Sequence, residues 1–272
     1  MSVAVTTPPA TIWAPPSHSR AGWAVLDSLE VAKRDLIAMT RVPQVVVFST
    51  IQPVIFVLLF RYVFGGAIHV PGVSYVDFLM AGIFVQTVCF GSTNTGVGLA
   101  EDLQKGLIER FRSLAMARSA VLAGRTIADA VRNLFVIILM VVVGFIVGFH
   151  VHTGALGLLA AIGFLLLFGF AMSWVMATVG LYTKNAEAAQ AAAFPVLAVL
   201  VFASNAFVPT STMPGPLRAY ANHQPVSATV NAVRSLVLGG ATASKVLVAT
   251  AWCLGIIAVF APLAVARYRR TA

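Results

Sequence analysis

The chain of 272 residues is 59% hydrophobic and only 10% charged, with a mean hydropathy of +0.92, which excludes an ordinary soluble domain, whose apolar share is about half. Its net charge of +9 would suggest nucleic acid in a soluble protein, but in a membrane protein basic cytoplasmic loops supply the same excess. Cys89 and Cys253 both fall in apolar runs, where a small buried hydrophobe is expected, so neither a disulfide nor a metal framework is implied.

Residues 1–20, "MSVAVTTPPATIWAPPSHSR", lack a basic stretch followed by an apolar core, so no cleavable signal is visible. Their Pro, Ser and Thr content reads as a disordered cytoplasmic tail. Residues 21–43 differ: Val25, Leu29, Ala32, Leu36 and Met39 make one helical stripe, with Asp27, Glu30, Lys33 and Arg34 on the other side. Glu30 can pair with Arg34 one turn on. Too charged to span, this helix is expected to lie in the inner headgroup region as an anchor or a relay of motion, with Pro43 marking the turn into the first span.

Six apolar runs long enough to cross a hydrocarbon core of about 30 Å follow, near 44–64, 75–99, 131–149, 155–181, 188–207 and 246–266. The fourth and fifth, separated only by "YTKNAEAAQ", form a tight helical hairpin. Gly144 and Gly148 in "GFIVG" are expected at a close helix contact. With the N-terminus inside, the cytoplasmic side holds Arg20, Lys33, Arg34, Arg41, the basic residues from Lys105 to Arg132, Lys184, Arg267, Arg269 and Arg270, against Arg218, Arg234 and Lys245 outside. This asymmetry places both termini in the cytoplasm of a multi-pass plasma-membrane protein, and no nucleic acid partner is needed. Arg61 reads as the only ionisable group within a span, near enough to the outer end to snorkel. Without an intramembrane carboxylate, proton coupling is disfavoured and an external energy source favoured.

Between the second and third runs lies "EDLQKGLIERFRSLAMAR", with seven charged residues in 18. Leu103, Leu107, Phe111 and Leu114 form one stripe, while Glu101, Asp102, Lys105, Glu109, Arg110 and Arg112 cover the rest. That pattern is a short amphipathic helix, resting on the membrane or docked in a groove of a cytoplasmic partner. "GSTNTGVG" has glycines at phosphate-loop spacing, but Val97 and Gly98 stand where Lys and Ser or Thr are required, so it holds no nucleotide. His69, His150, His152 and His223 lie at membrane ends and read as interfacial residues rather than metal ligands. No nucleophile and base stand at a recognisable spacing, so neither catalytic residues nor an enzyme activity is expected. From Val208 to Gly240 the chain is too polar and too interrupted by proline to span, yet apolar enough to insert partly. Non-helical backbone at membrane depth must be covered by protein or face a watery cavity, which fits two short re-entrant helices broken near Asn222 to Pro225. A hairpin resting on the membrane surface is the alternative.

"EDLQKGLIERFRSLAMARSAVLAGRTIADAVRN" resembles the cytoplasmic connection between spans two and three of type 2 ABC exporter permeases, in particular the daunorubicin-resistance group. It departs at Ala115, where many members carry proline. "FVPTSTMPGPLRAYANHQPVSATVNAVRSLVLGG" is similar to that group's outer segment, with its Met-Pro-Gly turn and a later Arg before a Gly pair. The resemblance covers nearly all of the chain after the tail, making 44–272 a type 2 ABC transmembrane domain. It implies an all-α integral membrane fold of six transmembrane helices with an N-terminal amphipathic helix, a cytoplasmic coupling helix and outer re-entrant helices.

What the resemblance implies for function is half of a translocation pathway driven by a separate cytoplasmic ATPase, two copies per complex, which would hold the ATP and Mg. This chain would bind no cofactor of its own. The second permease half would be an identical copy or a sister chain, with membrane lipid around both. Glu101, Asp102, Lys105, Glu109, Arg110 and Arg112 would make the polar contacts to the ATPase, and Leu107 and Phe111 the packing. In the second span Gln86, Phe90, Asn94 and Val97 share a helical face, and in the fifth Phe194, Ala198, Phe202 and Asn205 do the same. Such mixed aromatic and amide faces suit a bulky, mostly apolar ligand, with simple packing against neighbouring spans as the competing reading, and in the related exporters these spans border the central cavity. The expected cargo is a drug, antibiotic or lipid. A permease for a polysaccharide or lipid-linked glycan and a non-transporting membrane scaffold are the alternatives.

Overall fold

The computed structural model of the protein describes residues 33, 43–66, 68, 70, 72–106 and 118–271, without the side chains at 43–50, 118–123, 125 and 269–271. All regular structure among these residues is helical. Helix α1 (Pro43–Leu59) runs on through a π-helical turn, Phe60–Phe64, that contains Arg61. Helices α2 (Tyr75–Gly91) and α3 (Thr93–Gln104) are two parts of one broken rod. α4 (Arg118–Val147), α5 (Gly154–Tyr182), α6 (Ala186–Phe202) and α9 (Thr242–Thr271) account for the remaining apolar runs. Four stretches, Tyr75–Gln104, Thr126–Val147, Gly154–Tyr182 and Thr242–Tyr268, are long and apolar enough to cross a membrane; the apolar helices Ile51–Phe64 and Ala186–Phe202 are shorter.

The α2–α3 rod sits at the centre, with every residue from Tyr75 to Cys89 buried. Its burial on all sides explains why α2 is apolar all round rather than striped. α5 packs against α3, α4 and α9. At the α3–α5 crossing the backbones nearly touch: a Cβ on Gly96 would lie 2.4 Å from the Met176 carbonyl oxygen, and one on Gly180 would lie 2.2 Å from that of Gly96. The glycine of the apparent phosphate loop is thus a helix-packing contact. Gly144 also packs closely, its missing Cβ replaced by Met80 Cε, whereas Gly148 touches nothing and has φ +96. That left-handed residue ends α4, so the expected contact pair reduces to Gly144.

The outer segment comprises a 3₁₀ turn (Thr210–Thr212), α7 (Gly215–Asn222) and α8 (Pro225–Leu238), broken at His223 and Gln224 where the sequence places the break. Arg218 folds α7 back on the turn by donating to the carbonyls of Thr210, Ser211 and Met213. Gln224 caps α8, its side-chain oxygen accepting from Val226 N at 3.1 Å. Val226, Val230, Val233 and Val237, one face of α8, join the main core with α2 and α5. The loop after α4 clasps the other end of α8: His152 N and Thr153 N donate to Val237 O, and Thr153 Oγ1 to Leu236 O at 2.6 Å. Asp77 holds that loop from below, accepting from His150 N at 2.8 Å.

Three boundaries differ from the sequence expectation. α6 ends at Phe202 rather than near 207, because Ser204 Oγ turns back to the Val201 carbonyl and competes with the helix ladder. The helix bearing Glu101 and Asp102 is the end of the second span, and it stops at Gln104, with Gly106 in a left-handed turn at φ 65. Leu103 therefore packs with the inner cluster of Leu99, Leu181 and Tyr268 rather than opening a new amphipathic helix. Third, the apolar part of α4 begins at Thr126, so Asp129 and Arg132 lie within it and Arg61 is not alone. Of the N-terminal helix expected over 21–43, all but Lys33 and Pro43 lie outside the described residues, as does the tail.

Candidate functional site

The second span breaks at Ser92, inside the run Gly91-Ser92-Thr93-Asn94-Thr95, whose residues favour turns and side-chain bonds over a helix interior. Thr95 N bonds to Ser92 O, a tighter turn that leaves the Gly91 carbonyl without its usual backbone donor. Side chains take its place: Asn94 Nδ2 donates at 3.0 Å and Arg132 Nη2 reaches across from α4. Arg132 is in turn paired with Asp129 at 3.0 Å, both nearly fully buried, and Asp129 accepts from Thr95 Oγ1. Gly169 and Gly91 leave room for Asn133 beside this cluster. A buried ion pair is tolerated when further hydrogen bonds satisfy it, and here those bonds tie the break in span two to span three.

Beside the break opens a groove of about 330 Å³ between α1, the α2–α3 rod and α6. Gln52, Phe90, Thr93, Asn94, Val97, Gln190 and Phe194 line it. The Phe90 and Phe194 rings adjoin on its wall as a tilted pair, their centroids 6.2 Å apart and their planes inclined by 50°. Gln52 and Gln190 are exposed on otherwise apolar helices, and an amide turned to lipid would forfeit its hydrogen bonds. A groove with two rings, several amides and one hydroxyl offers apolar surface to a ring system and hydrogen bonds to its polar substituents, while its lining carries no formal charge.

Of the residues assigned to the pathway from sequence, Phe90, Asn94 and Phe194 come together in this groove, joined by Val97. Gln86 lies a turn further along α2 and is buried, its Oε1 without a hydrogen-bond partner among the described residues. Phe202 instead joins an aromatic cluster at the end of α1, 6.2 Å from Phe56 and 5.6 Å from Phe207. Asn205 is not on the α6 face at all: it follows the helix, is buried, and donates from Nδ2 to Asn231 Oδ1 at 2.7 Å. Gln52 and Gln190 were not singled out from sequence, although a glutamine within a long apolar run is a visible signal. At the end of α3, Glu101 and Lys105 are paired at 3.1 Å and Lys105 is well exposed, while Asp102 is buried. Leu107, Glu109, Arg110, Phe111 and Arg112 lie outside the described residues.

Residues 29–238 match the family described as ABC-2 type transporter. The chain belongs to that family. This ABC-2 type chain is 35% identical over 246 residues, 90% of its length and 87% of the relative's, to a daunorubicin resistance ABC transporter permease protein of Streptomyces coeruleorubidus. It is 29% identical over 262 residues, 94% of its length and 93% of the relative's, to a probable doxorubicin resistance ABC transporter permease protein of Mycobacterium tuberculosis. As an ABC-2 type permease with several apolar helices it is a multi-pass protein of the plasma membrane, and the family implies an ATPase partner and a paired permease half.

Proposed function

We propose that the chain is the permease half of an ATP-driven exporter that takes a hydrophobic or amphiphilic ring compound, of the daunorubicin or doxorubicin kind, through the groove between α1, the broken second span and α6. The observation that carries this reading is the adjoining pair Phe90 and Phe194 with Gln52, Asn94 and Gln190 around it. All six apolar helices cross the membrane, both termini are cytoplasmic, and α7 and α8 are re-entrant, which the burial of the valine face of α8 among the spans supports. Two copies of a separate ATPase bind ATP and Mg and dock against Glu101, Lys105 and the segment through Arg112; Asp102, being buried, supports that surface from behind. A second permease half, identical or a sister chain, completes the pathway within membrane lipid.

The test is ATP hydrolysis by the permease co-purified with its ATPase. Hydrolysis should respond to daunorubicin-like compounds in the parent complex, and the response should shift to higher drug concentration in Phe90→Ala and Gln190→Ala. A complex whose hydrolysis ignores all such compounds, or whose groove variants respond like the parent, would remove the support for this site.

A further inference from the structure

Outward of the groove, the space between the second span and the end of the fifth is shut by one seam. Residues 205–207, just after α6, lie directly against the outer half of α2: a Cβ on Gly82 would come within 2.0 Å of the Ala206 carbonyl oxygen. Tyr75 Oη donates to Phe207 O at 3.3 Å. Arg234 of α8 bridges both sides. Its Nη2 donates to Phe78 O at 3.0 Å and to Asn205 O at 3.1 Å, Nε donates to Phe78 O at 3.3 Å, and the guanidinium carbon lies 3.6 Å from the centre of the Phe78 ring.

The two sides of the seam are held unequally. Ser227, Asn231 and Arg234 recur along one stripe of α8, and all three grip Asn205: its N donates to Ser227 Oγ at 3.2 Å, its Nδ2 to Asn231 Oδ1 at 2.7 Å, and its carbonyl accepts from Arg234. Gln224, a turn before Ser227, adds a bond to the Leu200 carbonyl at the end of α6 at 3.0 Å. Four side chains thus weld α8 to the end of the fifth span. Toward α2, the hydrogen bonds across the seam come from Arg234 and Tyr75, and the rest of the contact is apolar packing of Ala206, Phe207 and the α8 valines, which needs no fixed polar partner.

We infer that this seam is the outer gate, that it parts between α2 and residues 205–207 while α8 travels with the end of α6, and that Arg234 is the bolt holding it shut. The arginine suits the role because a planar guanidinium can serve two carbonyls and stack on a ring at once, which a lysine cannot. Gly82 suits it because only a residue without a side chain lets the two backbones close. Arg234 is a positioning residue here; it touches no cargo.

The experiment uses the full chain in its ATPase complex in liposomes, with spin labels on Val73→Cys and Ser211→Cys across the seam. Trapping the complex with ATP and vanadate should lengthen the distance between the labels in the parent. Arg234→Gln should favour the long distance without nucleotide by about tenfold, the equilibrium value of one charge-assisted hydrogen bond, and should move less cargo per ATP hydrolysed. Arg234→Lys should fall between the two. Gly82→Ala, which removes no hydrogen bond, should shift the distances in the same direction by propping the seam. An unchanged distance in the trapped parent overturns the inference even if Arg234→Gln fails to assemble. So does an Arg234→Gln complex with parental distances whose hydrolysis and transport fall together. A complex that transports without parting the seam would leave the groove reading standing and remove this one alone.

Discussion

Gly96 and Gly180 let the second and fourth spans meet backbone to backbone, and one methyl group there has no room. Gly180→Ala should destabilise the detergent-purified protein by about 1–3 kcal/mol, as expected of an overpacked contact. Gly163→Ala, with nothing within 4 Å of its Cβ, should leave the unfolding temperature unchanged or raise it slightly. If the groove takes the cargo as proposed, each phenyl ring contributes stacking of about 1 kcal/mol, and Phe90→Ala or Phe194→Ala should raise the half-maximal drug concentration roughly fivefold. At this scale the sequence was partly readable. Phe90, Asn94 and Val97 are spaced to share a face of any helix, and that spacing survives the local break at Ser92. Asn205 leaves the helical face that its spacing from Phe202 suggests, because the helix ends at Phe202 and Ser204 and Asn205 are themselves terminating residues. Gln52 and Gln190 meet only through the tertiary arrangement of α1 and α6, which no local pattern encodes.

The α2–α3 break and the buried pair that braces it belong together as one element. Arg132→Ala would strand Asp129 in the interior, a loss of about 3–5 kcal/mol, and should abolish accumulation of folded protein in the membrane. Asp129→Asn combined with Arg132→Gln removes both charges and should recover part of that amount; equal loss in the single and double variants would show that the pair braces nothing. Helix type and placement were legible, since all six apolar runs fall on helices. The break was not, because hydropathy averages over Ser92 and its neighbours, although the Gly, Ser, Thr and Asn cluster carries a turn signal. The Asp129–Arg132 pair is hidden in the sequence because Arg132, although just inside the expected run 131–149, counts with the basic residues of the connection before it, and Asp129 lies two residues outside that run. For the coupling segment, Glu109→Lys or Phe111→Ala should weaken co-purification of the ATPase while the spans still insert, since a buried aromatic anchor carries more of an interface than its rim charges.

Across the whole molecule, the distribution of basic residues predicts the orientation. Thiol labelling of intact cells should modify Thr153→Cys and Ser211→Cys and spare Lys105→Cys and Lys184→Cys; the reverse pattern would invert the topology. Along the α2–α3 rod the groove lies between the seam held by Arg234 and the pair Glu101 and Lys105. In the proposed function cargo enters at the groove and leaves past the seam, with energy applied at the Glu101 end. The most direct measurement is ATP-driven uptake of doxorubicin into inside-out vesicles that carry the permease and its ATPase, compared with vesicles carrying Phe90→Ala with Phe194→Ala at equal complex content. Uptake that requires ATP and falls several-fold in the double variant, with the complex intact, is the predicted result. Uptake of equal size in both, or no ATP-dependent uptake of any hydrophobic compound by the intact complex, would contradict the account.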